Sequence, residues 1–129
     1  MKRVTIPTMT KFVDPGRPYS IVPLAIQGDV MLNTRPRMTP DSGRGYYRLT
    51  HIPTGRVLAS YWDREHTDQA LAIAARHVPD NMAELVDSFG ASHLDTQRYY
   101  LAMQPLARAL LDTRPVERQK FFDFIGATR

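Results

Sequence analysis

The residues best suited to chemistry sit in one predicted hairpin. Tyr46, Arg48, Arg56 and Trp62 combine two aromatic rings with two guanidinium groups. Aromatic rings stack on unpaired bases, while guanidinium groups neutralise phosphates and also stack. The polar stretch just before the hairpin adds Arg35, Arg37 and Arg44. These seven residues form the candidate contact for nucleic acid or another anionic partner. The same features also suit docking on an acidic protein. The structural alternative is that Tyr46 and Trp62 pack under a helix while the arginines are simply solvated.

Other constellations carry less. Asp41-Ser42-Gly43-Arg44-Gly45 is a Gly-rich loop whose N–H groups can form an anion nest. It lacks the Gly-Lys-Ser/Thr end of a P-loop and leads into a strand. Asp63 and His66 stand three residues apart, with His51 as a third nominal ligand across the sheet. A structural metal site needs at least three converging ligands. Acids ahead of a helix N-terminus explain Asp63 and Glu65 more simply, so no metal and no cofactor is expected. No serine lies in a nucleophile motif. Cysteine is absent, which removes disulfides, thiolate zinc sites and thiol nucleophiles.

Charge divides the chain. Residues 1–62 hold nine Lys/Arg against three acidic residues, while residues 63–129 hold eight against ten. The whole-chain value of +4 hides this split. A basic half beside a mildly acidic one points to a face for an anionic partner. The absence of an apolar run near Met1 and of any membrane-length apolar stretch leads us to expect a cytoplasmic protein without a membrane contact.

The elements that must position these residues change character near Trp62. Residues 1–62 hold seven of the ten prolines and five of the seven glycines, and read as strands and turns. Strands are predicted at 4–6 and 9–13, with an irregular or edge strand over 19–26 because of Pro23. Gln27-Gly28-Asp29 is the turn into a strand over 30–33. Residues 34–45 read as a loop. A three-residue loop, Pro53-Thr54-Gly55, makes 46–62 a hairpin that pairs Ile52 with Arg56, His51 with Val57, Leu49 with Ala59 and Tyr47 with Tyr61. Tyr47, Leu49, His51, Val57, Ala59 and Tyr61 then face the core. Tyr46, Arg48, Thr50, Ile52, Arg56, Leu58, Ser60 and Trp62 face outward.

After Trp62 the pattern is helical. Thr67 is the expected cap of a helix that ends before Pro79, and Asp80 of a second helix stopped by Gly90. Ser92-His93-Leu94-Asp95 resembles a capping pattern for a third helix, which Pro105 is expected to kink or split. Thr113 and Pro115 open a last helix bearing Phe121, Phe122, Phe124 and Ile125. These cannot all point inward, so part of that surface suits a partner or a second copy of the chain. Strands first and helices second predict one α+β domain, with an antiparallel sheet and three to four packed helices.

The reading is a small non-enzymatic binding protein whose basic β half docks on nucleic acid or a nucleoprotein complex. The alternative is a phage or mobile-element accessory protein or inhibitor that acts by protein–protein contact. In that case Asp63, Glu65, Asp68, Asp80, Glu84 and Asp87 mimic phosphate charge. An enzyme with a site assembled across the sheet is the third class.

Overall fold

A computed structural model of the chain describes residues 3–6, 19–34, 46–113 and 115. Strands come first and helices second, giving an α+β fold. Strand β1 (Val4–Ile6) pairs antiparallel with β2 (Tyr19–Ile21) as a two-stranded ribbon. A second sheet follows chain order as an antiparallel meander of β3 (Ala25–Gln27), β4 (Val30–Thr34), β5 (Tyr47–His51) and β6 (Val57–Tyr61). The apolar run at 19–26 is thus divided between two sheets. Pro23 lies in the break, where it costs no ladder hydrogen bond. Gly28, at φ 57°, makes the β3–β4 turn that its sequence predicts.

The β5–β6 loop differs from expectation by one residue. His51 N–H donates to the Arg56 carbonyl and Gly55 N–H to the His51 carbonyl, both at 2.8 Å. The loop is therefore four residues, 52–55, with Gly55 in the left-handed region at φ 74°. His51 opposes Arg56 and Thr50 opposes Val57, so the predicted Ile52–Arg56 and His51–Val57 pairs do not form. Leu58 is then the extra residue of a bulge. The predicted register returns at Leu49–Ala59 and holds to Tyr47–Tyr61. Two predicted outward residues change sides as a result. Leu58 joins the core cluster, and Arg56 faces the helices.

Three α-helices cover one face of the meander: α1 (Thr67–His77), α2 (Met82–Ser88) and α3 (His93–Ala109). A 3-10 turn at Leu111–Thr113 follows them. The core joins Leu32, Leu49 and Tyr61 of the sheet to Leu71 and Ala74 of α1, Leu85 of α2 and Met103 and Leu106 of α3. Burial of such side chains is the main favourable term of the fold. The sheet's second face is not a solvated outer face as expected. Met31, Asn33 and Thr50 are fully buried there, and Ser60 is nearly so. Thr50 Oγ1 donates to Asn33 Oδ1 at 2.8 Å, which satisfies two polar groups that burial would otherwise penalise.

The caps are only partly as expected. Thr67 lies inside α1, and its hydroxyl donates to the Arg64 carbonyl instead of capping. Asn81, not Asp80, takes the cap position of α2, without a side-chain bond. Gly90, at φ 82°, stops α2 as expected. Ser92 is a true cap of α3, because its Oγ accepts the Asp95 N–H at 3.0 Å. Ser92→Ala is expected to cost about 1 kcal/mol. A lowered urea midpoint with an unchanged slope is the measurement that checks it. Pro105 does not split α3. Pro105 and Leu101, whose carbonyl the ring cannot bond, both lie on the exposed face of the helix. The predicted strand at 9–13, the loop at 35–45 and the last helix beyond Pro115 lie outside the described residues.

Candidate functional site

Tyr46 and Trp62 are the residues just outside the Tyr47–Tyr61 pair, at the open end of the hairpin. Trp62 is 57% exposed, far more than a core tryptophan. Tyr46 is half-buried and packs edge-on against Tyr47, with ring centroids 4.9 Å apart. Arg48 sits between Asn33 and Ser60 in the ladder, half-buried, and its Nε is shielded from water. Tyr46 and Trp62 thus flank the open end of the hairpin, and Arg48 lies one pair further along the ladder.

The fold takes Arg56 away from them. Arg56 Nε donates to the Tyr99 hydroxyl at 2.9 Å, and the guanidinium carbon stands 5.8 Å from the centre of the Tyr99 ring. This charge-assisted bond and cation–π contact tie the hairpin to α3. Burial pushes the Tyr99 phenol above its ordinary range, and the nearby Arg56 charge opposes that shift. Arg35, Arg37 and Arg44, with the Gly-rich loop around Arg44, lie outside the described residues.

The aromatic end is bordered by acids. Tyr61, Trp62, Asp63, Glu65, His66 and Thr113 line a pocket of about 190 Å³. Asp63 Oδ1 accepts the Glu65 N–H at 3.1 Å, and Glu65 lies 3.8 Å from His66 Nε2. Beneath, the Tyr61 hydroxyl meets Thr113 Oγ1 at 2.8 Å, and burial raises the Tyr61 pKa to about 12.

His51 does not join Asp63 and His66. It ends β5 beside the loop, while the other two follow the far end of β6. Among the described residues no group of three or more His, Asp or Glu side chains is placed to hold a metal ion. His51 instead lines a groove of about 360 Å³ between the β3–β4 turn, the β5–β6 loop and the end of α1, with Asp29, Arg76 and Asp80. Burial lowers its pKa below 6.5, against the pull of Asp29. The sequence shows each of these residues but not their convergence, which only the packing of α1 on the sheet creates.

No helix among the described residues is long and apolar enough to cross a membrane. Comparisons with protein-family models, with curated proteins and with solved structures give no match.

Proposed function

We propose that this chain is a small, non-enzymatic, cytoplasmic binding protein that engages single-stranded nucleic acid, alone or within a nucleoprotein complex. The contact is the open end of the β5–β6 hairpin. The observation that carries this reading is Trp62, which is 57% exposed at the open end of the hairpin, one residue beyond the Tyr47–Tyr61 pair. An exposed indole offers a stacking surface, and the arginines of residues 1–62 are the phosphate contacts. The +6 charge of residues 1–62 supplies the attraction.

Trp62→Ala is expected to weaken binding to single strands about tenfold, since stacking on an aromatic ring contributes about 1–3 kcal/mol per base. Duplex, whose bases offer no free face, should lose much less. Affinity should fall steeply with added salt. Fluorescence anisotropy with single- and double-stranded DNA and RNA at low salt tests all three. Failure to bind any of the four removes nucleic acid as the direct ligand.

A second reading, contact with a protein, rests on a different surface. Leu94 and Leu101 lie seven residues apart on α3 and are 74% and 56% exposed. A pair at this spacing shares one helix face. An accessory or inhibitor protein of a phage or mobile element would use such a face.

A further inference from the structure

The pocket beside Trp62 has an unbalanced set of polar groups. Tyr61 and Thr113, both buried, form part of its lining. Thr113 Oγ1 donates to the Leu110 carbonyl at 2.6 Å. A carbonyl only accepts and a threonine hydroxyl holds one proton, so Thr113 must accept from the Tyr61 hydroxyl. Both hydroxyl protons are therefore spent inside the protein. Asp63 and Glu65 complete the polar lining, and ionised carboxylates also only accept. Asp63 Oδ1 takes the Glu65 N–H, while His66 Nε2 lies 3.8 Å from Glu65 Oε1, beyond hydrogen-bond length. Apart from the indole N–H and the His66 ring, the lining side chains offer acceptors alone.

The remaining wall is Trp62, whose ring is exposed to solvent. An aromatic wall selects a flat ring to stack on it, and acceptors beside it select N–H donors on the edge of that ring. Guanine alone among the common bases sets two donors side by side, N1–H and the N2 amine. Adenine and cytosine each present one donor beside a ring-nitrogen acceptor, and the N–H of uracil stands between two carbonyls. In those three the carboxylates meet a lone pair. The pocket, at about 190 Å³, is on the scale of a single base.

We propose that this pocket takes a guanine base of a single strand, stacked on Trp62 with its Watson–Crick edge donating to Asp63 and Glu65, an assignment that rests on the single-strand reading above. The two carboxylates are then specificity determinants. They add nothing to the phosphate contact and repel it at long range, so the selectivity comes at some loss of general affinity.

The test is fluorescence anisotropy of the full chain at low salt, with labelled uridine octamers in which one central base is guanine, hypoxanthine, adenine or uracil. The guanine strand should bind about tenfold more tightly than the adenine strand, the size of a well-formed bidentate base contact. Hypoxanthine, which lacks the N2 amine, should fall between them. Asp63→Asn combined with Glu65→Gln should abolish the guanine preference and hold the all-uracil strand at least as well, because negative charge near a polyanion is removed. Both positions are exposed, and the asparagine keeps the oxygen that accepts the Glu65 N–H. Equal binding of all strands, hypoxanthine bound as well as guanine, or a preference that survives in the double variant overturns this inference and leaves the single-strand reading standing. No binding to any strand overturns both.

Discussion

Tyr99→Ala is expected to remove about 4 kcal/mol of folding stability, a large share of what a domain of this size has. Tyr99 is 2% exposed and packs edge-on against both Phe89 and Tyr100, with centroids 5.0 and 5.5 Å away. Truncation leaves a cavity where the end of α2, α3 and the hairpin meet. It also removes the acceptor of the Arg56 bond and the ring beside that guanidinium. Tyr99→Phe separates the two contributions. It keeps the packing and removes only the hydroxyl, so it should cost about 1–2 kcal/mol. Urea denaturation of both variants is the measurement, and near-equal losses would mean that the hydroxyl, not the ring, holds this junction.

The second large effect is alkaline. Tyr61 holds its proton up to about pH 12 in the folded protein, against an ordinary value of 10.0. The cause is burial, opposed by the bond to Thr113. Between those two pH values the unfolded phenol ionises and the folded one does not, so the unfolded state binds fewer protons. Stability is then complete below pH 10 and falls as pH rises through 12. Two pH units correspond to about 2.7 kcal/mol. Tyr99, raised in the same direction by its own burial, adds to the loss. Urea midpoints measured from pH 9 to 12 should fall steeply for the native chain. Tyr61→Phe should start lower, having lost the Thr113 bond, but fall less. Parallel curves would show that Tyr61 is not the titrating group.

Much of the fold was legible because its cues are local. Asp29 and Gly28 mark a tight turn, Ser92 a cap and Gly90 a stop, and each acts within a few residues of itself. The shift from period two to period 3.6 near Trp62 placed the boundary between sheet and helices correctly. The β5–β6 loop was less legible, since Pro53-Thr54-Gly55 suits loops of three or four residues equally. That single residue decided the side taken by Arg56 and Leu58. Pro105 does not interrupt α3, so of the two expected outcomes, a kink or a split, the split is excluded.

The candidate surface divides along the same line. Arg48 opposes Ser60, because the register beyond the bulge is the predicted one. Arg56 left the set because it lies on the loop side of the bulge. The burial of Met31, Asn33 and Thr50 on the sheet's second face had no signal in the hairpin's own alternation, because what covers a face is decided elsewhere in the chain.

The bulge at Leu58 acts as a dislocation in an otherwise regular lattice. The pairs on its loop side run one residue out of phase with those beyond it. The His51 groove lies on one side of this fault and the Trp62 end on the other, so the two ends of the hairpin are set by different registers.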